Sequence, residues 1–322
     1  MNILVFGKDG QLGKAFKSVF DVSKLGESHC ITYVGRAECD LANSNTVTKL
    51  LDQIKPSLII NAAAYTAVDK AETEVDLAYA INAKAPELMA LYAKHRRATF
   101  LHYSTDYVFD GSKKTAYIES DVRNPLAIYG KSKAAGEEAI EAAFEDSNSS
   151  AGRYAIFRTS WVYGEGGNFI RTILRLAKER ETLKVIADQY GAPTSATWLA
   201  EVSLALALNE QHQLKSFPSG IYHAVPQGET TWHALAYYAV QVAIEAGAGL
   251  KLRPEAITAI PATEYPLPAP RPMNSRMARG VLEALTNSLG GLSIMTKSQL
   301  LEQSWESQVA AYVQDLVHRK LI

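Results

Sequence analysis

Apolar residues in the first half of the chain fall into two alternating kinds of run. Asn2–Phe6, Cys30–Val34, 57–60 and 98–103 are short and rich in β-branched or aromatic residues. That is the pattern of buried strands. Between them, 11–20, Ser44–Ile54 and 76–95 place apolar residues three and four apart. Val47, Leu50, Leu51 and Ile54 share one face, as do Leu77, Ile81, Leu88, Leu91 and Tyr92. Such spacing predicts helices with one buried side. The order βαβαβαβ predicts an α/β fold, because parallel strands need crossover helices and those crossovers are right-handed. The predicted architecture is a doubly wound, parallel, Rossmann-like sheet.

The pattern then loosens. The polar run 145–152 reads as a surface loop. Residues 154–159 resume as strand and 168–178 as helix, and beyond about 215 the signals become irregular. Pro261, Pro266, Pro268, Pro270 and Pro272 withhold backbone donors, so 261–272 reads as an extended connector. A length of 322 residues suits about two domains. The expected division is a dinucleotide domain over 1–160, with returning segments at about 183–226 and 270–285. A smaller, discontinuous C-terminal substrate lobe is expected from about 161–182, 227–269 and 286–322.

Composition narrows the function classes. With 47% hydrophobic and 21% charged residues the chain can bury a core. A net charge of −1 argues against a nucleic-acid partner. Only Cys30 and Cys39 are present, which excludes a disulfide framework and a cysteine-rich zinc site, and makes a reducing cytoplasm the natural compartment. The longest uncharged run, 230–244, falls short of the about 20 residues a membrane span needs, so no membrane partner is expected. The seven histidines show no metal-ligand pairing, and His102, in mid-strand, reads as a hydrogen-bonded core residue.

Chemistry enters with Gly7, Gly10 and Gly13. They follow the first strand and open the first helix, so the backbone can approach a pyrophosphate at a helix N-terminus. A P-loop does not fit: five residues separate Gly7 from Gly13, and Ala15 follows Lys14 where a hydroxyl is required. The second strand runs into Arg36, a base suited to an NADP(H) 2′-phosphate. Asp40 can accept from an adenine amino group and Leu41 can pack on the ring. After the third strand, Asn61-Ala62-Ala63-Ala64 is small enough for close cofactor approach. Tyr129 and Lys133 stand four apart on one helix face, where an ammonium would lower a phenol's pKa and ready it for proton exchange. Ser104-Thr105 ends a strand where a hydroxyl could hold a reacting carbonyl. Thr105 is preferred, although spacing alone does not separate the two. Arg271 and Arg276, after the proline connector, suit a nucleotide diphosphate.

Together these motifs resemble an extended short-chain dehydrogenase/reductase, and within it the branch that reduces dTDP-4-keto sugars. Supporting stretches are 1–4 into 7–13, 67–72, 103–109, 129–133, 158–163, 188–194 and 271–276, which stand in family order over nearly the whole chain. The resemblance implies hydride transfer from NADPH to C4 of dTDP-4-dehydro-L-rhamnose, the last step of dTDP-L-rhamnose synthesis. It implies that Tyr129 donates a proton to the C4 oxygen and that Lys133 tunes Tyr129 and binds the nicotinamide ribose. By the same resemblance Thr105 holds the substrate oxygen, and Asp106 and Trp161 contact the sugar. Gly10, Gln11, Leu12, Asp40, Leu41, Ala64, Tyr65 and Thr66 then line the cofactor site. Related dehydratases carry Asp-Glu after the threonine; here Tyr107 follows Asp106, so reduction is expected rather than dehydration. Some members hold magnesium at a subunit contact through a glutamate of the first helix. That position is Ala15, which leaves both magnesium and a homodimer open. Acceptance of NADH, the nucleotide base and the sugar also stay open.

Overall fold

The structure is a computed structural model that describes residues 1–145, 152–288 and 300–322, with side chains at 286–288 left aside. Six strands form the main sheet: β1 (Asn2–Phe6), β2 (Cys30–Val34), β3 (Leu58–Asn61), β4 (Thr99–Thr105), β5 (Arg153–Thr159) and, later in the chain, Gly220–His223. All neighbours are parallel, and the order across the sheet is 220–223, β5, β4, β3, β1, β2. Val5 lies between Tyr33 of β2 and Ile60 of β3. The strand order reverses between β1 and β3, and in such sheets ligands bind at the carboxyl ends beside that switch.

Helices cover both faces, as the alternating pattern requires. On one face α1 (Gln11–Val22) packs with Ala196–Ala207 over Ile3, Val5, Leu101 and Phe157. On the other face lie α2 (Ser44–Ile54), α3 (Ala85–Arg96) and α4 (Ile128–Phe144), over Leu4, Ile59, Phe100 and Ile156. Helix α2 is capped by the Asn43 side chain, which accepts from Asn45 N–H.

The long helix expected over 76–95 is interrupted. Val75–Tyr79 is α-helical, Ala80–Lys84 forms a π-helical turn, and α3 follows. The widened turn seats buried Asn82, whose amide spans Tyr65 and Ser132. Two elements of the main body left no periodic signal. Ala196–Ala207 is buried on nearly every side and shows no polar face to alternate with its apolar one. Gly220–His223 has only four residues and begins with glycine.

A second core gathers three helices, α5 (Phe169–Glu179), Trp232–Glu245 and Trp305–His318, around a two-stranded parallel sheet, Leu183–Ile186 with Ile257–Ile260. The expected division shifts here. Leu183 and Val185 pack into this second core, so strand 183–186 belongs with the smaller lobe and not with the returning segment. Conversely, Leu300 and Leu301 join the first core. Within the proline-rich connector the only regular piece among the described residues is Ala262–Glu264. Of the loop expected at 145–152, residues 146–151 lie outside the described residues, as do 289–299.

Candidate active site

The first glycine turn is dictated by contact with its neighbours. Gly7 has φ +85°, and a Cβ there would lie 2.7 Å from Ala63 N. At Gly13 a Cβ would lie 2.1 Å from the Gly7 carbonyl oxygen. Gly7 lets the turns after β1 and β3 meet at the switch point, and Gly13 lets the start of α1 close on the turn after β1. Gly10 differs: it is exposed, and a Cβ would meet only Gly7 O at 3.4 Å. It caps α1 without a side chain, leaving the helix N-terminus open for an anionic group.

Beside this turn is a cavity of about 280 Å³. Gly7, Arg36, Asp40, Leu41, Ala63, Ala64, Tyr65 and Thr66 all line it. Arg36 is exposed at its rim, Glu38 is taken up by Lys8 and by Gly35 N–H, and the Asp9 carboxylate lies against Gly35. One Asp40 oxygen accepts from Ala42 N–H. Gln11 and Leu12 are placed differently. Leu12 packs into the first core, and the Gln11 amide reaches the second lobe at Val162 O and Asn168. Only their backbone N–H groups, in the first turn of α1, are available to a phosphate.

Thr105, at the carboxyl end of β4, donates to Asp106 Oδ1 at 2.9 Å and lies beside the Tyr129 phenol. Ser104 alternates to the opposite face, toward Glu137. This separates the two hydroxyls that spacing left equivalent. Tyr129 packs edge-on against Tyr107, with ring centroids 5.5 Å apart. Burial pushes the phenol up to about 12, with the Thr105 hydroxyl opposing and the Asp106 charge reinforcing the rise. The expected lowering by Lys133 is therefore not what this arrangement produces. Lys133 donates instead to Tyr103 O at 2.6 Å and faces His102 Nε2 at 3.2 Å. Burial brings its own pKa down to about 8, with Glu137 pulling upward. Asp106 is buried and pushed up to about 6 by desolvation, with the Ser275 and Thr105 hydroxyls easing it back.

Trp161 borders the crevice from the second lobe. It adopts φ 48°, a left-handed conformation rare outside glycine, and stacks on Trp232 at 3.7 Å. Arg271 pairs with Asp69, and Arg276 with Glu229 and the Asn274 side chain. Neither arginine is a free solvated cation. Among the described residues no cluster of three or more His, Cys, Asp or Glu could hold a metal ion, and Ala15 is buried in the first core. No helix among them is long and apolar enough to cross a membrane.

Some features of the site escaped the sequence reading. Asn61 and His102, each noted singly, meet behind Lys133, and Asn82, which was not noted, ties Tyr65 to Ser132. Glu137, fully buried, accepts from Arg158 and Arg123. Glu137 had a usable signal, since it stands four residues after Lys133 on the same helix face.

Comparison with known proteins agrees with this architecture. The dTDP-4-dehydrorhamnose reductase of Salmonella typhimurium is 43% identical over 282 residues, covering 86% of this chain and 89% of the relative. A crystal structure of a dTDP-4-dehydrorhamnose reductase from Clostridium acetobutylicum superposes with a TM-score of 0.82 at 32% identity, covering 99% of this chain and all of that one. The Bacillus anthracis dTDP-4-dehydrorhamnose reductase, solved in complex with NADP, gives 0.81 at 31% identity, covering 98% of this chain and 99% of that one. The model of the RmlD substrate binding domain matches residues 1–316, and the chain belongs to that family.

Proposed function

We propose that the protein reduces the C4 keto group of dTDP-4-dehydro-L-rhamnose to dTDP-L-rhamnose with NADPH. One observation carries the reading: Thr105, Tyr129 and Lys133 converge at the carboxyl end of β4, beside the switch-point cavity whose rim is Arg36. The residues present fit a dinucleotide. Gly10 is exposed with open space beside it, and the first turn of α1 offers unpaired N–H groups. Arg36 would hold the 2′-phosphate, Asp40 and Leu41 the adenine, and Ala63 to Thr66 the neighbouring wall. When bound, the dinucleotide supplies the hydride.

The chain's own part is proton delivery and positioning. Reduction of a ketone consumes one hydride at carbon and one proton at oxygen. With a pKa of about 12, the Tyr129 phenol is protonated at neutral pH and can donate to the C4 oxygen. The Thr105 hydroxyl would hold that oxygen in line. Lys133, close to its titration point at about 8, would offset the charge left on the phenolate and bind the ribose. Asp106 and Trp161 would border the sugar, and Arg271 and Arg276 the diphosphate. The smaller lobe would close over the substrate.

The test is turnover. Purified protein with NADPH and dTDP-4-dehydro-L-rhamnose should lose the reduced-nicotinamide absorbance and yield dTDP-L-rhamnose, identified by mass and stereochemistry. Tyr129→Phe should lower kcat by about 10²–10⁴-fold while NADPH binding stays within a few-fold. No turnover above that control overturns the proposal. Parallel assays with UDP- and GDP-linked 4-keto sugars test the base, and NADH in place of NADPH tests the cofactor.

A further inference from the structure

Lys133 is held by a residue that the mechanism above does not use. His102 on β4 is fully buried, with Nε2 3.2 Å from Lys133 Nζ and Nδ1 3.1 Å from Asn61 Nδ2. Asn61 opens the Asn61-Ala62-Ala63-Ala64 turn, and Ala63 and Ala64 line the cofactor cavity. A continuous polar line therefore runs from the cofactor turn, through the Asn61 amide and the imidazole, to the catalytic lysine.

Proton counting restricts what this line can be. A neutral imidazole has one N–H and one bare nitrogen. Burial and the adjacent Lys133 charge both disfavour the imidazolium, so the ring is neutral. A lysine ammonium can only donate. Nε2 must therefore be bare to accept from Lys133, which places the ring proton on Nδ1. That proton needs an acceptor, and the Asn61 amide supplies one by presenting Oδ1 to the ring. The exchange gives up the long contact from Ala63 N–H to Asn61 Oδ1, at 3.3 Å, and turns the amide Nδ2 toward that donor, a smaller cost than leaving the ring proton facing another donor in the buried site. Two of the three ammonium donors are then used, on Tyr103 O and His102, and one remains for the reaction.

We propose that His102 is a positioning residue for the reduction: in its Nδ1–H tautomer, fixed by Asn61, it accepts a hydrogen bond from Lys133 and keeps that side chain charged and aimed. The charged groups facing Lys133 are few. Glu137, four residues on in α4, favours the ammonium; β4 itself carries no acid, and Asp106, just after it, acts on the phenol. Without an acceptor at position 102, the ammonium loses one of its two hydrogen bonds in a buried site, and its pKa falls further.

This inference rests on the reductase reading, so its test has a readout independent of turnover. In protein labelled with ¹⁵N-histidine, His102 should show a protonated Nδ1 and a bare Nε2 throughout pH 6–8. The Nε2–H tautomer, or an imidazolium, overturns the proposal even if the enzyme turns over normally. Kinetics supply the second arm. His102→Leu should lower kcat about tenfold, raise KM for NADPH, and move the alkaline limb of the kcat profile to lower pH by about one unit. His102→Gln, which retains an acceptor oxygen, should restore most of all three. Equal pH limbs in wild type and a folded His102→Leu overturn the proposal; if that variant does not fold, the tautomer decides. Absence of ketosugar turnover together with the Nδ1–H tautomer would instead sink the reductase reading.

Discussion

Adding one methyl group to the glycine turn should have opposite consequences at Gly13 and Gly10. In Gly13→Ala the new Cβ would lie 2.1 Å from Gly7 O, 2.7 Å from Gly7 C and 2.9 Å from Lys8 Cα. All three are backbone atoms, so no rotamer change relieves the clash, and the turn must open by more than an ångström. Opening strains Gly7 N–H to Val34 O at 2.9 Å and Gly10 N–H to Gly7 O at 3.0 Å. Overpacking of this kind costs about 1–3 kcal/mol, and two backbone hydrogen bonds add about 1 kcal/mol each. Better helix propensity returns about 1 kcal/mol. The net loss is about 2–4 kcal/mol, or a fall in Tm of roughly 3–6 °C for a chain of 322 residues. In Gly10→Ala the methyl meets only Gly7 O, at 3.4 Å, and φ is −79°, which alanine adopts freely. Its Tm should stay within about 1.5 °C of wild type, the equivalent of about 1 kcal/mol. The methyl does occupy the space assigned to the pyrophosphate, so the Kd for NADPH should rise tenfold or more, about 1.4 kcal/mol. Differential scanning calorimetry and titration of NADPH fluorescence read the two effects separately. A Gly13→Ala protein with wild-type Tm, or a Gly10→Ala protein with wild-type NADPH affinity, would refute the account of the turn.

Other substitutions test separate parts of the site. Arg36→Ala should lower the NADPH-over-NADH preference in kcat/KM by about tenfold; an unchanged ratio would show that the 2′-phosphate is held elsewhere. Asp106 titrates near 6 in the folded protein, above its unfolded value, so folding favours its protonated form. Stability from that form is complete below pH 4 and is lost as pH rises through 6. Asp106→Asn should therefore stabilise the protein at pH 7.5 by about 2–3 kcal/mol and give little gain at pH 4. Equal Tm differences at the two pH values would contradict the burial argument. Arg158→Met leaves buried Glu137 with Arg123 as its remaining cation, and should cost about 3 kcal/mol by urea denaturation, at the low end for a broken buried pair.

The sequence discloses the parts of this fold that obey one period at a time. Cys30–Val34 and Ser44–Ile54 are found at the predicted bounds, because each presents a single regular pattern to a single neighbour. The glycine turn and the Tyr129–Lys133 pair were equally legible, since both are local in sequence. What stayed hidden depends on distant residues. Strand 183–186 alternates buried and exposed positions, yet nothing local says that its partner is 257–260 and not the main sheet. His102 was correctly read as a hydrogen-bonded core residue, but its partners stand 31 and 41 residues away. The pKa of Tyr129 was read with the wrong sign for a related reason. Lysine at i+4 is visible in the sequence, whereas the burial that outweighs it is a property of the folded crevice.

Helix α4 shows why such sites resist pattern reading. Tyr129, Ser132, Lys133 and Glu137 stand at helical spacing on a side that also buries Ala134, Ile140 and Phe144, so polar groups share the inward face with apolar ones. By amphipathicity alone the polar members would be assigned to solvent. Their burial is stable because each meets a partner from a neighbouring element. Asn82 donates to Ser132 while its amide oxygen accepts from Tyr65 N–H, Lys133 lies between Tyr103 O and His102, and Glu137 takes Arg158 from β5. The two ties nearest the chemistry use neutral amide and imidazole groups, which lose far less on leaving water than an extra carboxylate or ammonium would. Both also join the cofactor-lining turn, Tyr65 by its hydrogen bonds to Asn82 and Ala63 by the chain that follows Asn61. A displacement of that turn is therefore transmitted to α4 through buried contacts. On this construction, substitutions at Asn61 or Asn82 should alter cofactor affinity and proton delivery together, although neither residue touches the substrate oxygen.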